Sequence, residues 1–414
     1  MTRTRTLSLA EVRLGWIARQ EQAVFDLRTE AAFATAHPLF AAHLAADRID
    51  VEAAARLPRR DVRVVIYDDG EALIDGAADA LARLGFENVY ALAGDLRGYR
   101  EAGYELFQDV NSYSKAFGEL VEARRHTPSI SAEELHAQLE GGADVTVVDA
   151  RRFDEYATMS IPTSTSVPGA ELVLRAPSLA RGRETTLVVN CAGRTRSIVG
   201  AQSLINAGTA QRVVALRNGT IGWTLAGQQL DHGQARRAPE VAPEVIADAR
   251  ARARAVAYRA GVRRISAADL DVFVHDPTRT LYRFDVRSEE EHARGHREGF
   301  RSAPGGQLVQ EIDMFAPVRG ARIVLGDPLG ARADMTASWL AQLGWEVYVL
   351  DAGLPDAPVR GVEPALPPRL SHGRYRRPYE GTDNPRAAME AYLEWEYGLV
   401  AQLERDGTHG FFVI

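Results

Sequence analysis

Residues 186–197 read Thr186-Leu187-Val188-Val189-Asn190-Cys191-Ala192-Gly193-Arg194-Thr195-Arg196-Ser197. The run up to Val189 has the composition of a buried strand, and Ile198, Ala201, Leu204 and Ile205 recur at helical spacing beyond it. A strand, a tight loop and a helix N-terminus in that order make an anion cradle. Successive backbone N–H groups turn inward, and the helix dipole adds partial positive charge. Arg194 and Arg196 contribute two charges that do not titrate away. Cys191 is the only cysteine in 414 residues. In this setting its thiol is expected to ionise well below its free value, toward about 3.5–7.5. A lone cysteine is more often a small buried hydrophobe. Inert cysteines, however, sit in apolar surroundings and not between a strand end and two arginines. The loop reads as the site of an activated nucleophile.

Spacing narrows the chemistry. Cysteine-based phosphatases need Cys-x-x-x-x-x-Arg, whereas here that position is Ser197 and the arginine falls one residue earlier, at Arg196. The shorter Cys-x-x-x-x-Arg loop resembles that of the rhodanese family of sulfurtransferases. The resemblance implies a loop that cradles a cysteine persulfide and small sulfur oxyanions. Cys191 and Arg196 would be catalytic, and Ala192, Gly193, Arg194, Thr195 and Ser197 would bind substrate. No cofactor and no metal are expected.

The chain also repeats itself. Asp26-Leu27-Arg28, Asp149-Ala150-Arg151 and Asp285-Val286-Arg287 each follow an apolar run and precede an acidic helix start. Asp68, Cys191 and Asp327 lie at one fixed distance beyond those aspartates. Three helical stretches then align without gaps, 74–85, 197–208 and 333–344, each followed by a β-like run (Val89–Leu92, Val213–Leu216, Val347–Leu350) that ends near a glycine. The fold expected is α/β: three tandem rhodanese-like units, each a mainly parallel sheet with helices on both faces, plus a C-terminal helical tail. Only the middle copy has a nucleophile. The carboxylates of Asp68 and Asp327 cannot carry sulfur, so the flanking units are read as inactive. The family's Gly-His element is Gly295-His296 in the third copy, Ala36-His37 in the first and Met159-Ser160 in the second.

The expected units are 1–109, inactive; 128–235, catalytic; and 263–358, inactive; the tail is 369–414. Ser131 and Glu134 form a capping-box pattern at the start of the second unit. Between the second and third units, the Ala/Arg-rich stretch from Pro239 to Gly261 reads as a solvent-facing linker helix, and 355–368 as a proline-rich connector. A final helix is expected from Asn384-Pro385 to just before Gly407, with Met389, Tyr392, Trp395, Leu399 and Leu403 on one face. That stripe is expected to dock on one of the units; a homodimer contact is the other arrangement it allows.

A net charge of −7 argues against sequence-independent nucleic-acid binding. No stretch approaches a membrane span or a secretory leader. Lys115 is the only lysine, an arginine bias that suggests a GC-rich bacterial genome, and a cytoplasmic location is expected. With one cysteine there is no internal thiol to resolve a persulfide, so the acceptor must come from outside. The expected partners are therefore small sulfur-containing anions and thiol or persulfide acceptors.

Other candidates are weaker. His292 and His296 have the helical spacing of a metal pair, but no cysteine or glutamate completes a zinc set. No GxGxxG opens a helix. Arg151 is a substrate-binding candidate, although Asp-x-Arg recurs in the copies without cysteine, which favours a structural pair. Glu171 is a candidate to face the loop, and Trp223 reads as core. Together the residues point to a sulfurtransferase that moves a sulfane sulfur from thiosulfate or another persulfide donor, through a Cys191 persulfide, to a thiol or cyanide. The alternative is a non-catalytic binding or scaffold protein built from rhodanese-like units.

Overall fold

The computed structural model describes residues 4–353, 355, 358–361 and 375–414. Most of the proline-rich connector, and the start of the expected tail at 369–374, lie outside the described residues. Three five-stranded sheets, parallel throughout, follow one another along the chain. The first has the order β1-β5-β4-β2-β3, from β1 (Arg5–Leu7), β2 (Gln22–Asp26), β3 (Ala42–His43), β4 (Arg63–Tyr67) and β5 (Val89–Leu92). The second repeats that order with β6 (Ser129–Ile130), β7 (Val145–Asp149), β8 (Thr165–Ser166), β9 (Thr186–Asn190) and β10 (Arg212–Leu216). The third does so again with β11 (Arg263–Ile265), β12 (Leu281–Asp285), β13 (Arg301–Ser302), β14 (Arg322–Gly326) and β15 (Glu346–Leu350). In each, the central strand is an almost unbroken buried apolar run, as a strand covered on both faces requires. Its C-terminal end feeds the loop that carries Asp68, Cys191 or Asp327, the end of a parallel sheet where ligands usually bind.

The Asp-x-Arg element is the same brace in all three units. Arg28, Arg151 and Arg287 each fold back onto Asp26, Asp149 and Asp285 at 2.6, 2.8 and 2.5 Å. The same guanidinium then donates to the carbonyl of Ala36, Met159 or Gly295. The brace thus needs only a backbone oxygen where the Gly-His element stands, which is why Met159-Ser160 serves as well. Ser131 and Glu134 make the expected capping box.

Two expectations need correction. The linker helix, Pro243–Arg259, is not a freely solvated face: Ala249, Ala253, Val256 and Ala257 are buried against the helices Leu172–Leu179 and Ala331–Gln342. Small alanines let the helices approach, while the arginines between them reach outward. The tail helix breaks at Gly398 into Pro385–Tyr397 and Leu399–Asp406. Leu399 and Leu403 bury into the core shared by the first and third units, and both segments pack on the connecting helix Ser112–Arg125. The same shared core takes Phe411, which meets Phe40 and Phe117 edge-on.

Candidate active site

β9 ends at Asn190, level with Asp149 on β7. Asn190 Nδ2 donates to Asp149 Oδ2 at 2.7 Å, tying the strand end to the brace beneath the loop. The loop then runs over Cys191–Arg194, and the helix Thr195–Asn206 begins. Behind it, Asn218 and Gly219 both take left-handed backbone angles (φ 62° and 53°), which lets Thr220 and Ile221 donate to the carbonyls of Cys191 and Ala192 at 2.9 and 3.0 Å. A Cβ on Gly219 would lie 2.3 Å from the Cys191 carbonyl oxygen, so that approach requires glycine.

Cys191 is 2% exposed. Arg196 holds Glu155 by a two-pronged ion pair, 2.7 and 3.0 Å, and Arg377 adds a third contact at 3.5 Å. Burial pushes the Glu155 carboxyl up, but the Arg196 charge and its hydrogen bonds outweigh it and hold it down to about 2. Arg194 departs from its expected role of orienting donors. Its guanidinium turns away from the cradle to Glu119 (2.7 and 2.8 Å) and Glu122, with the Tyr397 ring 4.0 Å from its carbon. Arg151, 1% exposed, is engaged in its brace. Glu171 pairs with Arg175 and with Arg332 of the third unit, not with the cysteine loop. Ala192 and Thr195 are half-buried, and Gly193 and Ser197 are buried. Trp223 is core. His292 stacks on His296 and contacts Asp285.

The thiol also departs from expectation. Burial pushes Cys191 above its ordinary value; the Arg196 charge and hydrogen bonding from Ser197 pull it back without cancelling the rise, and Glu396 adds to it. Glu396 belongs to the tail helix, which lies over the loop: a Cβ on Gly193 would sit 3.2 Å from Glu396 Oε2 and 3.6 Å from Tyr392 Cε1. The loop alone predicted an ionised thiol. The carboxylate that adds to the rise comes from some two hundred residues downstream and leaves no mark near the cysteine.

The flanking loops show what the cradle grips. Asp68 accepts from the N–H of Gly70 at 3.0 Å and of Leu73 at 2.7 Å. Asp327 accepts from Leu329 at 3.1 Å and from Arg332 at 3.0 Å. These are the second and fifth residues after the aspartate, and in the middle unit the same places are Gly193 and Arg196. The third unit keeps the rest of the set as well: Arg332, in the place of Arg196, pairs with Glu291, in the place of Glu155, at 2.7 and 3.2 Å. Sequence reasoning missed Glu155, although its recurrence as Glu291, at the same distance from the brace aspartate, was a usable signal. Glu119, Glu122, Glu396 and Tyr397 had none, since each reaches the loop only through tertiary packing.

Parallel α/β units with a cysteine at the head of an anion-gripping loop define a class, and the comparisons agree with it. The Rhodanese-like domain family matches residues 11–102 and 131–226. The crystal structure of thiosulfate sulfurtransferase from Pseudomonas aeruginosa is 46% identical, covers 99% of this chain and 100% of its own, and superposes with a TM-score of 0.95. An HTH-type transcriptional regulator of Mycobacterium tuberculosis is 28% identical over 163 residues, 39% of this chain and 71% of that protein. The chain belongs to the rhodanese-like sulfurtransferase family. The family match stops short of the third unit, whose kinship rests on its strand order, its brace and its loop. No helix among the described residues is long and apolar enough to cross a membrane.

Proposed function

We propose that the protein is a sulfurtransferase that takes a sulfane sulfur from thiosulfate or another persulfide donor onto Cys191 and passes it to a thiol or to cyanide. One observation carries the persulfide reading. An aspartate reaches its oxygens through Cα–Cβ–Cγ–Oδ, and a cysteine persulfide reaches its outer sulfur through the same number of bonds, Cα–Cβ–Sγ–Sδ. In both flanking units the anionic oxygens at that reach are gripped by two loop N–H groups. A persulfide on Cys191 would present its charge to Gly193 and Arg196 in the same way, and hydrogen bonds from N–H groups to an anion are among the stronger kind.

In the first half-reaction the Cys191 thiolate attacks the donor's sulfane sulfur; the new S–S bond forms as the donor's breaks, and sulfite or a thiolate leaves. Arg196 stabilises the anion and is itself positioned by Glu155. Arg194, committed to Glu119 and Glu122, fixes the loop to the connecting helix instead. The likeness in sequence and shape to a thiosulfate sulfurtransferase supports thiosulfate as one donor. Intact-mass measurement after incubation with thiosulfate or glutathione persulfide tests the reading. The expected result is a gain of one sulfur (~32 Da), removed by cyanide or thiol and absent from Cys191→Ser. A readily alkylated Cys191 that gains no sulfur from either donor would overturn it in favour of a scaffold.

A further inference from the structure

Glu396 sits against the cysteine loop, and one of its oxygens has no hydrogen-bond partner among the described residues. It is 2% exposed. Oε1 accepts from the Tyr392 hydroxyl at 3.1 Å, while Oε2 has no hydrogen-bond partner among the described residues and is the atom nearest a Cβ placed on Gly193. The groups facing it are Lys115 and Glu119 from the connecting helix, Arg194 and Cys191 from the loop, and Tyr379 and Tyr392 from the tail. No cation among them is bonded to it. Arg194 is committed to Glu119 and Glu122, and Lys115 pairs with Asp109 at 3.0 Å, its ammonium lying 5.3 and 5.4 Å from the Tyr392 and Trp395 ring centres. A buried carboxyl with a vacant oxygen and no ion-pair partner among the described residues is costly to keep for stability alone. Burial pushes it up to about 7 against the pull of Lys115, so both protonation states are populated near neutrality.

We propose that Glu396 is the catalytic acid–base of the acceptor half-reaction, taking the proton of an incoming thiol and delivering it to the outer sulfur of the Cys191 persulfide. The inference rests on the persulfide reading above. A thiol acceptor poses a problem that cyanide does not. The thiol must lose a proton to become a nucleophile, and the resulting thiolate then faces a persulfide that is itself an anion. Glu396 carboxylate removes the proton from R–SH. The protonated carboxyl gives it to the outer sulfur, converting Cys191–S–S⁻ to Cys191–S–SH. R–S⁻ attacks that sulfur, the new S–S bond forms as the Cys191 S–S bond breaks, and R–S–SH leaves with the Cys191 thiolate regenerated. One proton moves and no outside oxidant or reductant is consumed. Gly193, lacking a side chain, leaves the carboxyl within reach of the loop.

The test uses the full-length protein loaded with sulfur by thiosulfate, wild type and Glu396→Gln, and follows discharge by mass spectrometry and stopped flow with glutathione and with cyanide. The variant should still gain sulfur from thiosulfate, at a rate no slower than wild type, because removing the Glu396 charge takes away one of the influences that raise the Cys191 thiol. Discharge to glutathione should slow by about 10²–10⁴-fold, and discharge to cyanide by less than about tenfold. In wild type the glutathione rate should rise with pH through an inflection near 7 that the variant lacks. Equal losses with both acceptors, an unchanged glutathione rate, or a variant that cannot load would each overturn the assignment while leaving the transfer reading standing. A wild type that never gains sulfur would sink both.

Discussion

Arg332 ties the loop of the third unit to a carboxylate of the middle one. It is fully buried and contacts three carboxylates: Asp327 at 2.9 Å, Glu291 at 2.7 and 3.2 Å, and Glu171 of the middle unit at 2.9 Å. Replacing Arg332 with Met preserves much of the volume and removes the charge. Asp327 keeps its two backbone donors, and Glu171 keeps Arg175 at 2.6 Å. Glu291 loses its arginine and retains the Ser288 N–H. Breaking a buried ion pair from one side costs about 3–5 kcal/mol, and because two of the three carboxylates keep partners the lower end applies. With a urea m-value of about 2–3 kcal/mol/M, a loss of about 3 kcal/mol moves the midpoint down by about 1–1.5 M. Fluorescence of Trp339 and Trp345, both buried in the third unit, reports the transition. Arg332→Lys should fall between, since a point charge cannot make the forked contacts. Adding Glu291→Gln to Arg332→Met should recover part of the loss by removing the stranded charge. A midpoint shift below about 0.3 M for Arg332→Met would refute the reasoning, because the network would then contribute no more than an exposed pair.

His37 is buried between the Phe33 carbonyl (2.9 Å) and the Ser112 hydroxyl (2.8 Å), and burial lowers it from 6.5 to about 4. The unfolded chain therefore takes up this proton first, and stability falls as pH drops from about 6.5 toward 4, by up to about 3 kcal/mol; His37→Gln should flatten urea midpoints measured between pH 7 and 4.5. Asp327→Cys, in a Cys191→Ser background, places a thiol in a loop that already holds Arg332 and Glu291, and should gain sulfur (~32 Da) from thiosulfate. A thiol there that alkylates readily yet never gains sulfur would show that two loop N–H groups and one arginine are not enough.

Much of the fold was legible because it was written three times. One run of Val and Leu before Cys191 is ambiguous between strand and buried helix; three runs at fixed offsets from three Asp-x-Arg elements are not. The Ala/Arg helix was legible as a helix but not as a packed one, because alanine carries little hydrophobic signal and buries as readily as it stays exposed. The break at Gly398 was hidden because its neighbours keep helical spacing on either side. At the site, Cys191, Arg196 and the loop backbone were local and could be read. The ion pairs of the Arg194 guanidinium could not be read, because its partners, Glu119 and Glu122, sit on a helix whose docking no pattern in the chain announces.

The three loops present one physical problem with two solutions. Inward-turned N–H groups that find no acceptor cost about 1–3 kcal/mol each when buried. In the first and third units an aspartate supplies the acceptor from within the chain, and the cradle becomes a fastening between strand and helix. In the middle unit the cysteine side chain stops one bond short of that reach, and on the proposed reading the same donors serve an anion that arrives with a substrate or forms on the sulfur. The tail lies against this loop, with Glu396 and Tyr392 beside Gly193, and the cysteine is buried. Burial raises the thiol, which on the proposed reading slows the first attack, but it also keeps water from any charge the cradle would bind, where each remaining hydrogen bond counts for more. On the proposed reading, the flanking units keep the backbone geometry without the chemistry, and the middle unit forgoes the fastening and keeps the site.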